Sequence, residues 1–162
     1  MISVATAVPE REAARPLHVV ARVGGERFAF PVTDVEEAID APQIDWVPGA
    51  AHGLAGQMRY RDRTVSAFDG GWALGVTRTT DGGTALILRD GTRRLAVMVD
   101  DVDDLTSFPP DAVHAVPAGT DSDGVLSGVW LAGAAQLVGL VNTEALLIRL
   151  ATFGASAIGE AQ

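Results

Sequence analysis

From Leu17 onward the chain alternates short apolar runs with clusters of Gly, Asp and Pro, and no long helical period interrupts it before Asn142. "HVVARV" and "RFAFPV" are β-branched and aromatic runs that meet at Gly24-Gly25, while "TALILR" and "RLAVMV" meet at Asp90-Gly91, a pair suited to a type I′ turn. Both pairs read as hairpins. Two further hairpins start at glycine, "GQMRYRDRTVSAF" from Gly56 and "SGVWLAGAAQLVGLV" from Ser127. Pro48 and Pro117 end the strands that precede them, because proline cannot donate to a central ladder. Only Asn142 to Phe153 is long enough for three helical turns, with the Asn142 side chain as its cap and Gly154 as its stop. Short strands with turn signals at roughly 8 to 12 residues predict a mainly β protein built from barrels or sandwiches.

The chain also matches itself. "LHVVARVGGERFAFPVTDVEE" from Leu17 lies ungapped over "TALILRDGTRRLAVMVDDVDD" from Thr84. Arg22 falls over Arg89, Gly24 over Gly91, Arg27 over Arg94, Ala29 over Ala96, Val32 over Val99, Asp34 over Asp101 and Val35 over Val102. With small gaps the match continues through "IDWVPG" and "VHAVPAG", Gly56 and Gly128, and the Asx residues Asp69 and Asn142. A repeat of this kind predicts two pseudo-equivalent small barrels packed together. The expected organisation is a flexible leader over 1–16, a domain over 17–153 and a flexible tail over 154–162. Within the domain the subdomains cover about 17–75 and 84–142, and exchange of strands between them is left open.

Composition removes several kinds of chemistry. Cysteine is absent, so there are no disulfides and no thiolate sites. All twelve basic residues are arginine, which rules out a Schiff-base or phosphate-loop lysine. A formal net charge of -9 argues against nucleic acid, whose binding is driven by cationic side chains. The amino terminus has no basic region followed by an apolar core, and the apolar stretch from Leu131 to Ile158 is broken by Asn142, Glu144, Arg149 and Gly154. Neither a secretory signal nor a membrane insertion is expected, and a cytoplasmic location is.

Candidate catalytic groups do not assemble into a pattern. His18, His52 and His114 have no partner at metal-ligand spacing. Asp100, Asp101, Asp103 and Asp104 leave open a metal-dependent hydrolase, and "DSDG" at Asp121 starts like a calcium loop, but no acidic residue closes that loop. Ser127 lacks the glycines of a nucleophile elbow, and Gly49, Gly53 and Gly56 precede no long helix that could hold phosphate. The expectation is a non-enzymatic protein with no metal and no cofactor.

One motif remains. In "GQMRYRDRTVSAFD" the three arginines Arg59, Arg61 and Arg63 alternate, so a continuous strand would put them on one face. Taken with the repeat, Val35-Glu36-Glu37, Pro48, Gly56, Arg61, Asp69, "VMVDDV" and "NTEALL", the chain resembles the CheW-like family of chemosensory coupling proteins from about Leu17 to Leu150. The resemblance implies two SH3-like five-stranded β-barrel subdomains with a short C-terminal helix. It implies an adaptor between a methyl-accepting chemoreceptor cytoplasmic tip and the regulatory domain of a chemosensory histidine kinase. A scaffold or localisation factor of the same fold with another protein client is the alternative. By family position Arg61 faces Glu37, and an arginine fork can grip a carboxylate. The implied contact residues are Val35, Glu37, Gly56, Met58, Arg61 and Asp62. Asp62 stands where the family has glycine and Ser66 where it has proline. Aspartate tolerates the left-handed conformation a turn needs at that point.

Overall fold

The computed structural model describes residues 16–50, 53–118, 124–132 and 136–161. Strands are the main element of the described residues and form two sheets, the two SH3-like subdomains of the expected fold. In chain order the elements are β1 (Leu17–Val23), β2 (Glu26–Pro31), β3 (Val35–Asp40), β4 (Leu54–Tyr60), β5 (Arg63–Asp69) and α1 (Gly70–Leu74). They continue with β6 (Thr84–Asp90), β7 (Arg93–Val99), β8 (Asp101–Ser107), β9 (Val113–His114), β10 (Leu126–Ala132), β11 (Gln136–Val141) and α2 (Thr143–Ala161).

The first sheet runs β8-β1-β2-β11-β10-β9 and the second β3-β6-β7-β5-β4. Both follow one plan, in which β1, β2, β8, β11 and β10 correspond to β6, β7, β3, β5 and β4. The two-residue β9 pairs with β10, and in the second sheet a single bridge, Asp45 to Gln57, takes that place. Each sheet takes its central hairpin from one repeat and its remaining strands from the other. A cut between residues 75 and 84 therefore does not separate the sheets. Their joining pair is parallel in both cases, β2 with β11 and β5 with β7, in a structure otherwise paired antiparallel.

Three apolar clusters result. Ala29, Val20, Val138 and Leu140 fill the first sheet's interior, and the repeat-related Ala96, Ile87, Val65 and Ala67 fill the second's. Between the sheets a larger cluster joins Phe28, Phe30, Phe68, Leu86 and Leu88 with Leu146, Leu147 and Leu150 of α2. The helix thus closes the shared core rather than either barrel. Burial of this many branched side chains, at about 25 cal/mol per Å², supplies the main driving force.

The strand expected to end at Pro48 is reduced to the single bridge at Asp45, and four further local expectations are revised. The segments beginning "TDVEE" and "DDVDD", outside the hairpins read from the sequence, contain the edge strands β3 and β8. The β6–β7 turn lies at Gly91-Thr92, one residue later than expected, because Asp90 pairs with Arg93 and stays in the ladder. Asp69 and Asn142 cap α1 and α2 by accepting from Gly71 N (2.8 Å) and Ala145 N (3.2 Å), as anticipated. The helix α2, however, passes Gly154 and continues to Ala161, where a tail was expected. Lastly, β4 and β5 break at Tyr60↔Arg63, so the arginine motif spans a two-residue turn, Arg61-Asp62. The positive φ, 55°, falls on Arg61 and not on Asp62.

Candidate functional site

That turn answers what the alternating arginines are for. Arg59 sits exposed on β4, Arg61 on the turn and Arg63 on β5 opposite Tyr60, so the three do not share a strand face. Arg63 Nη1 donates to the Thr92 carbonyl at 2.9 Å, tying the β4–β5 tip to the β6–β7 tip. Arg61 Nη2 reaches Glu37 Oε1 at 3.3 Å, as the family position implied, but the two side chains are 67% and 45% exposed. An ion pair so solvated contributes little to holding the edge.

The tighter connection lies one residue away. Register shifts between Val35 and Glu37, leaving Glu36 and Glu37 bulged against Ile87 and turning two successive carboxylates toward β4. Tyr60, 3% exposed, donates its hydroxyl to Glu36 Oε2 at 2.5 Å and to Glu37 Oε1 at 3.3 Å. Arg94 Nε closes on Glu36 Oε1 at 2.9 Å, and Arg89 Nε lies 4.0 Å from the same oxygen. Burial and the adjacent Glu36 carboxylate push the Tyr60 phenol up to about 12. The hydrogen bond from Tyr60, then Arg94, holds Glu36 below the usual carboxylate range against its desolvation. A phenol and two arginines on one carboxylate thus bridge β3 and β4, the two edges of the second sheet.

Of the six residues put forward, Glu37, Arg61 and Asp62 are solvent-facing at this seam. Val35 and Met58 are buried, 9% and 3% exposed, and Gly56 is buried with them. Met58 forms one wall of a cleft of about 260 Å³ with Ile39, Pro42, Asp45 and Arg59. Gly56, at φ 152°, lies so close to the Asp45 backbone that a Cβ there would stand 2.3 Å from its carbonyl oxygen. These buried residues shape the seam while the charged ones face outward.

Glu36, Tyr60 and Arg94 did not stand out in the sequence, although the repeat carried their signature. Arg22 matches Arg89 and Arg27 matches Arg94, and in the first sheet both reach Asp103, the counterpart of Glu36, at 3.2 Å. Two of the repeat's identities therefore mark a duplicated cluster of one carboxylate and two arginines.

The other candidates are dispersed. Asp100 accepts from the amides of Gly24, Thr79 and Thr80 and the Thr80 hydroxyl, linking the β1–β2 turn to the connection between repeats. Burial alone would raise its pKa, but these donors outweigh it and hold the carboxyl far below the ordinary range. Asp101 pairs with Arg22, and Asp103 with Arg22 and Arg27. Among the described residues no group of three or more His, Asp or Glu is placed to hold a metal ion. The His18 ring meets Phe108 edge-on, His114 belongs to β9, and His52 and Asp121 to Asp123 of "DSDG" lie outside the described residues.

Comparison with known proteins bears on the family and the fold. The family model of the CheW-like domain matches residues 18–151. The chain belongs to the CheW-like family. Among solved CheW structures, the scaffolding protein TtCheW from Thermoanaerobacter tengcongensis superposes with a TM-score of 0.70 at 15% identity. That alignment covers 79% of this chain and 89% of the other. No curated protein matches the chain. The CheW-like match ends at residue 151, so it includes the first two turns of α2. Among the described residues no helix is long and apolar enough to cross a membrane.

Proposed function

We propose that this CheW-like protein is a non-enzymatic cytoplasmic adaptor that couples chemoreceptors to a chemosensory histidine kinase. The observation that carries the proposal is the seam between β3 and β4. There Glu36, Tyr60 and Arg94 fix the edge internally and leave Glu37, Arg61 and Asp62 facing solvent. A surface whose backbone is pinned beneath exposed charges costs little entropy to dock, which favours specific protein contact. Val35, Gly56 and Met58 set the position of those charges from below. The clients are the regulatory domain of the kinase and the receptor's cytoplasmic tip.

The test is capture of each client by the immobilised chain. Both fragments should be retained, with Glu37→Arg, Arg61→Glu or Asp62→Arg weakening one of them while leaving the melting temperature unchanged. Retention of neither fragment would refute the coupling role and leave a scaffold with a different client.

A further inference from the structure

Residues 75–83 connect the two repeats, and the last part of the connection is held at two anchors. On one side Asp100 accepts from the amides of Thr79 and Thr80, each at 3.0 Å. On the other, the Gly83 carbonyl accepts from Ala41 N at 2.9 Å, and a Cβ on Gly83 would stand 2.1 Å from the Val99 carbonyl oxygen. Only Asp81 and Gly82 lie between. Asp81 is exposed, and neither its side chain nor the Gly82 amide has a hydrogen-bond or ion-pair partner among the described residues. An aspartate followed by glycine is chemically distinctive, since no Cβ shields the next amide nitrogen from the carboxyl group. The chain has four such bonds, and the structure sets them apart. Asp69 Oδ1 is engaged by Gly71 N at 2.8 Å and Arg78 Nε at 3.1 Å, at the start of α1. Asp90 lies in the β6–β7 ladder opposite Arg93, which fixes its backbone. Asp123 is outside the described residues. Of the three that are described, only Asp81 precedes its glycine outside strand, helix and cap.

We propose that Asp81-Gly82 is a site of spontaneous isoaspartate formation that loosens the connection between the repeats. The Gly82 nitrogen adds to Asp81 Cγ. A nitrogen–carbon bond forms, the carbon–hydroxyl bond of the protonated carboxyl breaks, and the nitrogen's proton leaves with the hydroxyl as water. Nothing is oxidised or reduced. Water then opens the succinimide ring: attack at Cγ restores aspartate, and attack at the former main-chain carbonyl leaves an isoaspartyl residue of unchanged mass. Ring closure needs rotation about the Asp81 main chain and side chain, which takes little free energy where few contacts break and far more within a ladder. The product runs the main chain through Cβ, adding one methylene between the anchors at Thr80 and Gly83. One anchor then lets go, either the Thr80 amide from Asp100 or the Gly83 carbonyl from Ala41. The new α-carboxylate is the substrate class of an isoaspartyl methyltransferase, with S-adenosylmethionine as methyl donor. The site lies apart from the seam assigned to coupling, and the proposal stands whichever client that seam serves.

The test ages the folded full chain at neutral pH and then digests it with trypsin, which isolates Asp81 in peptide 79–89 and Asp69 in peptide 64–78. Isoaspartate is read by methyl transfer from labelled S-adenosylmethionine and located by fragment masses. It should accumulate in 79–89 and stay absent from 64–78, whereas a chain aged in urea should gain it in both. Gly82 has no positive φ, and a Cβ there would meet nothing within 4 Å, so Gly82→Ala should fold as the parent does and lose most of the label. Asp81→Glu, too long for the five-membered ring, should lose it as well. In the aged chain the Thr80 or the Ala41 amide should exchange its hydrogen faster than in fresh protein. Equal isoaspartate in the two peptides of the folded chain, or none in 79–89 while the urea-treated chain gains it, would overturn the assignment. Undiminished label in the Gly82→Ala chain would do the same.

Discussion

Replacing Gly56 with alanine tests how the seam is held in place. At φ 152° the position lies outside the region open to alanine, a strain of about 1 to 3 kcal/mol. The added Cβ would stand 2.3 Å from the Asp45 carbonyl oxygen and 2.8 Å from Ile44 Cγ2. Backbone cannot rotate away as a side chain can, so relief requires the 42–48 loop to move, at about 1 to 3 kcal/mol for overpacking. Such a move also strains the paired bonds Asp45 N to Gln57 O (2.7 Å) and Gln57 N to Asp45 O (2.8 Å). The sum is about 4 kcal/mol, less than the about 5 to 15 kcal/mol that a folded domain holds, so the variant should still fold. Gly128 is an internal control at the same place in the other repeat. It has no positive φ, and a Cβ there would meet Val113 Cγ1 at 2.9 Å and the His114 carbonyl oxygen at 3.0 Å, against 2.3 Å from backbone at Gly56, so alanine there should cost about 1 kcal/mol. With a urea m-value of about 2 kcal/mol per M, Gly56→Ala should lower the midpoint by about 2 M and Gly128→Ala by about 0.5 M. Tryptophan fluorescence reads both. Equal shifts for the two variants, or a Gly56→Ala shift under about 0.5 M, would refute the close approach of β4 to the Asp45 bridge.

Three further outcomes follow from the same contacts. Tyr60 is the chain's single tyrosine, so absorbance at 295 nm reports it alone: tyrosinate should form with a midpoint of about 12. Because the folded value is raised, Tyr60 stabilises fully below about pH 10 and loses that contribution as pH rises through 12; an ordinary midpoint near 10 would show an unbridged phenol. Asp100→Asn should lower stability at neutral pH and lose that difference in acid. The Asp100 carboxyl is depressed by folding, so its contribution is present above about pH 4 and fades as pH falls; a deficit that persists in acid would contradict it. In double-mutant cycles read by urea midpoint, Glu37→Ala with Arg61→Ala should be additive, while Glu36→Ala with Arg94→Ala should show coupling. Reversal of that order would place the structural bond at the exposed pair.

The hairpins, their glycine turns and the doubling of the chain were legible because each leaves a local mark: period-two apolar runs, Gly24-Gly25, and identities in one register. The Arg61 to Glu37 contact was legible only through family position. Two things could not be read locally. One was the exchange of strands, since β2 joins β11 and β7 joins β5 across the boundary between the repeats, and no residue pattern records that parallel pairing. The other was the role of Glu36. An alternating strand would have pointed it away from Glu37, and only the bulge opposite Ile87 turns both toward Tyr60. Alternation misled in the arginine motif too, because a two-residue turn with arginine at positive φ carries no glycine to announce it.

Bridging is the property that defines an adaptor, so reconstitution tests the account most directly. Chemoreceptor-bearing vesicles, the chemosensory kinase and this chain are mixed and sedimented. The account predicts that the kinase pellets with the vesicles only when the chain is present, and that Arg61→Glu abolishes the bridge without unfolding the protein. Kinase that pellets equally well without the chain, or fails to pellet although both clients bind it separately, would contradict the coupling role.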